Sequence, residues 1–124
     1  MLKRRARRST GPSTGVREEV WERSGGYCER CGKAIGTSAM SVHHRRPRRM
    51  GGTTDPSVNT VPNLAILCGS GTTGCHGEIE SRRADAYADG WLLHAGQNPA
   101  EVPVRLRGGP MVMLTSDGGY SSLL

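Results

Sequence analysis

The sequence predicts a small α+β domain that cannot rest on an apolar core alone. Three observations carry this expectation. The chain has 124 residues, no Phe, 4% aromatics and 18 Gly, which suits one domain with little apolar surface to bury. Residues 39–44 (AMSVHH) and 63–68 (NLAILC) read as short strands, and a helix-compatible stretch follows at 75–88. Four cysteines interleave with these elements, and a chain this short with so thin a core calls for a metal or another staple.

Each element has its own signal. Residues 1–15 (MLKRRARRSTGPSTG) are basic and carry no apolar periodicity, so they read as a disordered arm. Residues 16–24 (VREEVWERS) suit a helix with Val16, Val20 and Arg23 beside Trp21 on its apolar side. Ser13 or Thr14 can cap that helix, and Gly25-Gly26 ends it. A tight cysteine turn spans Tyr27 to Gly32. Residues 45–62 form a long polar loop, and loops of that length are usually functional or disordered. GSGTTG at 69–74 is a flexible turn, and Gly90 closes the helix begun at Cys75. Beyond it, WLLH, VPVRL and MVML give weak strand signals between Gly and Pro turns. The expected organisation is an arm over 1–15, a domain over 16–95 and an extension over 96–124 whose role the sequence does not reveal.

Net charge is +6, and Lys3 and Lys33 are the only lysines. The positive charge clusters at Lys3, Arg4, Arg5, Arg7 and Arg8, and again at Arg45, Arg46, Arg48 and Arg49. Arginine's planar fork matches phosphate oxygens in pairs, so this is the footprint of a nucleic-acid binder; the plain alternative is a solvated basic face. No apolar run follows the basic start, so it does not read as a secretory signal. No stretch approaches the ~20 apolar residues of a membrane span. The expected location is a reducing cytoplasm, where four cysteines more often bind metal than form disulfides.

Cys28-x2-Cys31 sets two thiols on one turn, and Cys68 and Cys75 can supply the other corners of a tetrahedral zinc site. Six residues separate the second pair, more than the usual two to four, and His76 can replace Cys75 as a ligand. A closed four-ligand zinc would be structural.

Between the cysteine pairs lies a second constellation. Val42-His43-His44 ends a strand, Asn63 begins the next, and His76 opens a helix directly after a cysteine. Over roughly residues 27–90 this order resembles the ββα-metal finger of the HNH nuclease family, and the runs VHHRRPR, NLAILC and CHG look most like its phage and actinobacterial members. The resemblance implies a metal-dependent DNA endonuclease. It implies His44 as the general base, because neutral imidazole can take a proton from water near neutral pH. It implies His43 and His76 as ligands of one catalytic divalent ion, Asn63 as the residue that orients the base, and Glu80, one helical turn beyond His76, as a further ligand.

Many family members carry Asp where His43 stands, which leaves the ion open among Mg2+, Mn2+, Ni2+ and Zn2+. Adjacent strand residues point to opposite faces, so His43 and His44 should have different jobs. Arg45, Arg46, Arg48 and Arg49, with Arg82 and Arg83 on the helix, are expected to hold phosphates. The implied partners are DNA and, by family habit, a phage terminase, in a bacterial or phage-infected cell. The chain is expected as a monomer or homodimer. The competing functions are a non-catalytic zinc-stabilised DNA-binding module and a phage packaging accessory protein.

Overall fold

The structure, a computed structural model, describes residues 11–47 and 56–123. Helix α1 spans Thr14–Ser24; the Ser13 hydroxyl accepts from the Val16 amide at its start, and Gly25 ends it in the left-handed conformation. The arm expected over 1–15 is therefore shorter at its inner end, since Ser13 already caps a helix. Residues 1–10 lie outside the described residues. Strands β1 (Met40–His44) and β2 (Leu64–Cys68) form an antiparallel pair, with Val42 opposite Ile66 and His43 opposite Ala65.

Strand β2 is apolar on both faces, and each face has its own core. Leu64 and Ile66 pack with Val20 of α1, Ile35 and Val61. Ala65 and Leu67 pack with Cys28, Cys75, Ile79, Trp91, Val104 and Leu114. This double burial explains an uninterrupted apolar run where a half-exposed strand would alternate. On α1, Val20, Arg23 and Ser24 are the buried residues, whereas Trp21 stays 39% exposed. The indole expected on the apolar side lies outside it, and a guanidinium takes the inner place.

The helix expected over 75–88 is two helices. Helix α2 covers Gly74–Ser81 and α3 covers Arg83–Ala88, parted by Arg82 at φ −125°, ψ 59°. The WLLH strand expectation fails as well. The amides of Trp91 and Leu92 bond to the Ala86 carbonyl, so this segment completes the end of α3, and its apolar residues are buried by the turn. Gly90 makes the turn possible: its φ is +81°, and a Cβ there would stand 1.9 Å from the Pro103 carbonyl oxygen. VPVRL and MVML do supply strands β3 (Val104–Arg105) and β4 (Met111–Leu114), which join β5 (Tyr120–Ser122) in an antiparallel meander. The long loop holds two 3-10 turns, Pro56–Asn59 and Val61–Asn63. Among the described residues no helix is long and apolar enough to cross a membrane.

Two buried arginines tie these parts together. Arg23 makes a two-pronged ion pair with Glu29, at 2.8 Å through both Nε and Nη2, and also donates to the carbonyls of Val61 and Leu64. Glu29 further accepts from the Ile66 amide and the Tyr120 hydroxyl. Every acceptor position of this buried carboxylate is thus in use, which is the condition under which a buried charge is tolerated. Beside Glu29 and buried at that contact, the Tyr120 hydroxyl is held well above its usual pKa by desolvation first and by the carboxylate second.

Arg45 is the second. It is 0% exposed, and its guanidinium donates to the carbonyls of Gly90, Pro62, Pro99 and Val102 at 2.6–2.9 Å. Burial lowers its pKa to about 9. The expectation that Arg45 grips a phosphate is corrected: its donors point inward and are taken by four backbone acceptors from three segments.

Candidate metal and active site

The four cysteine sulfurs lie within 4.8 Å of one another. The Cys31 and Cys68 sulfurs are 3.9 Å apart, close to the roughly 3.8 Å edge of a tetrahedron with 2.3 Å zinc–sulfur bonds. None of the four is in a disulfide. Cys75, not His76, is the fourth member. The six-residue spacer closes because it folds back on itself: Gly69 has φ +89°, and a Cβ there would lie 2.1 Å from the Thr73 carbonyl oxygen.

The cluster is electrostatically poised for a cation. A hydrogen bond from Cys75 draws the Cys28 thiol down to about 4, against the opposing effect of burial, while the same contact pushes Cys75 up. Arg30 adds a donor, with Nη1 3.2 Å from the Cys75 sulfur and 2.6 Å from Glu78. The site can hold a metal such as zinc.

The histidine corner lies on the same face of the β1–β2 pair. His43 is 4% exposed, and its Nε2 donates to the Trp91 carbonyl at 2.7 Å. A carbonyl only accepts, so the His43 proton sits on Nε2 and its lone pair on Nδ1. Burial lowers its pKa to about 4, with the nearby His76, His44 and Arg45 acting in the same direction. His76, in the first turn of α2, stands edge-to-face with it, ring centroids 5.3 Å apart. The His76 Nδ1 is buried and has no hydrogen-bond partner among the described residues. Buried polar atoms without partners are uncommon and point to a missing ion or water. Two imidazoles suit a borderline divalent metal. Glu80 is exposed and its carboxylate bonds Arg83 at 2.9 Å. Among the described residues no group of three or more histidines, cysteines or acids includes this pair.

His44 faces away from His43 and is half-buried, its Nε2 2.9 Å from Asn59 Oδ1. Asn63 is fully buried and clamps the loop at both ends: its Oδ1 accepts from the Arg46 amide at 2.7 Å, and its Nδ2 donates to the carbonyls of Arg46 and Val58. Arg46 is half-buried and donates to the Gln97 carbonyl and the Ser57 hydroxyl. Arg82 and Arg83 are exposed on the helical side. Arg48 and Arg49 lie outside the described residues. His94 stacks flat on Tyr87 at 4.1 Å.

Sequence reasoning missed three participants. Asn59 sits in an aperiodic loop where nothing marks it. The Trp91 carbonyl is backbone and leaves no residue signature. Glu29 lies between two cysteine-turn residues and reads as an ordinary surface acid until Arg23 is found beneath it.

Residues 28–82 match the family model described as HNH endonuclease. No curated protein and no solved structure matches the chain. The matched stretch contains all four cysteines, His43, His44, Asn63 and His76, and such domains act on nucleic acid as metal-using nucleases. The likeness to the HNH endonuclease family thus spans residues 28–82, the stretch that holds both the cysteine cluster and the histidine corner.

Proposed function

We propose that the chain is a metal-dependent DNA endonuclease in which the cysteine cluster holds a structural zinc and the histidine corner holds the working ion. The observation that carries this reading is the buried His76 Nδ1, without a hydrogen-bond partner among the described residues, beside a His43 whose Nε2 is already committed to Trp91. In this reading His43 and His76 would hold one divalent cation, which when bound would supply positive charge to a phosphodiester. His44 takes the proton from the attacking water, as a positioned imidazole does near neutral pH. Asn63 keeps the loop closed around that base, consistent with its bonds to Arg46 and Val58. Glu80, engaged with Arg83, is left out of the ligand set. Arg82 and Arg83, with Arg48 and Arg49, hold the flanking phosphates, while Arg46 serves the loop first.

The test is nicking of supercoiled plasmid by zinc-loaded protein, with added magnesium, manganese or nickel and with or without EDTA. Cutting is expected only with an added ion, and it should fall sharply in His44→Ala. DNA binding without cutting at every ion would assign the chain to a non-catalytic DNA-binding module instead.

A further inference from the structure

The geometry points to Asn59 as the residue that sets the tautomer and ring orientation of His44. This rests on the reading of His44 as the base. A carboxamide oxygen can only accept, so the 2.9 Å contact between Asn59 Oδ1 and His44 Nε2 places the proton on Nε2 and the lone pair on Nδ1. A base needs a lone pair, and a ring that exchanges its proton between nitrogens offers it at the correct atom only part of the time. Asn59 removes that ambiguity.

Asn59 is itself held. It ends the 3-10 turn Pro56–Asn59. The carbonyl of its neighbour Val58 accepts from Asn63 Nδ2 at 2.8 Å, and Ser57 accepts from Arg46. The same Asn63 bonds both the amide and the carbonyl of Arg46, two residues past His44. One buried carboxamide therefore fixes the strand end that carries the imidazole and the turn that carries its acceptor. Asn63 acts on His44 through the backbone of Arg46 and Val58, and Asn59 delivers that effect to the imidazole. Asn59 is a positioning residue, since it acts through the imidazole.

The tautomer and the rate separate the possibilities. Nitrogen-15 spectra of the zinc-loaded protein at alkaline pH, where imidazoles are neutral, distinguish the proton-bearing ring nitrogen of His44 from the other. Wild type should show the Nε2–H form alone. Asn59→Leu, which keeps the side chain's size and removes the acceptor, should show a mixture and cut about 10–100-fold more slowly, with KM within twofold. Asn59→Asp, which restores an acceptor oxygen, should recover the Nε2–H form and most of the rate. Asn59→Ala serves if the Leu variant does not fold, with zinc content as the check on folding. A His44 that stays wholly Nε2–H without an acceptor at 59 would overturn the assignment, as would a rate loss in Asn59→Asp equal to that in Asn59→Leu. Were the wild type not to cut while the tautomer still responded, the nuclease reading would fail and Asn59's hold on His44 would stand.

Discussion

The cysteine corner and the histidine corner sit on one face of the same two-stranded ladder, yet they differ in every respect that decides what a metal can do there. Four sulfurs converge within 4.8 Å, with Arg30 Nη1 3.2 Å from the Cys75 sulfur. Such a site satisfies its ion fully and leaves no position for a substrate. The histidine corner brings together two imidazoles, one oriented by a backbone carbonyl and one with a buried nitrogen that has no hydrogen-bond partner among the described residues. An ion held there keeps open positions, which is what chemistry requires. In the proposed reading, closure would make the first corner a fold element and incompleteness would make the second a reaction site.

If that contrast holds, the largest effect belongs to the cysteines. Cys28→Ser should abolish zinc retention and cooperative folding, because apparent zinc-binding energies in small finger domains reach about 10–16 kcal/mol and are folding energy. Metal analysis with thermal unfolding followed by circular dichroism checks this; a folded, zinc-free variant would break the comparison. By contrast His44→Ala should fold normally with its zinc and lose roughly 10²–10⁴-fold in plasmid cleavage, the usual worth of a positioned base. Initial-rate measurement at saturating metal gives the number.

A smaller effect separates the arginines. Arg45→Met leaves buried carbonyls without their charged donor and should destabilise the fold by about 3 kcal/mol in denaturant titration. The salt dependence of DNA binding should be unmoved, since the side chain is 0% exposed. Arg83→Ala should do the opposite. It should leave stability nearly unchanged and reduce the slope of log affinity against log salt by about one, the signature of one lost phosphate contact. Its ion pair with Glu80 is half-exposed on both sides, so the loss of that pair is a small matter.

Much of this contrast was legible in the sequence, and the gaps have physical reasons. Cysteine spacing and the order of His43, His44, Asn63 and His76 are local patterns, and local patterns survive in a one-dimensional reading. The first strand follows from alternation, the second from its short apolar run, and the bounds of the first helix from its caps. Arg45 was misread because charge in a sequence is read as exposed, whereas only the folded chain shows four carbonyls converging on it from Pro62, Gly90, Pro99 and Val102. The same blindness hid Asn59 and the Trp91 carbonyl, whose partners lie 15 and 48 positions away. Residues beyond 96, opaque as sequence, bury Val104 and Leu114 against Cys28 and Leu67 and carry Tyr120 to Glu29. Their contribution is long-range packing, which no periodicity announces.

The claim that the two corners are separate sites of different kinds is tested most directly by calorimetric titration of manganese or nickel into protein that already holds one zinc. Wild type should take up one further ion, and His76→Ala should take it up far more weakly while its zinc content stays at one. A wild type that binds no second ion, or a His76→Ala variant that loses its zinc, would contradict the account.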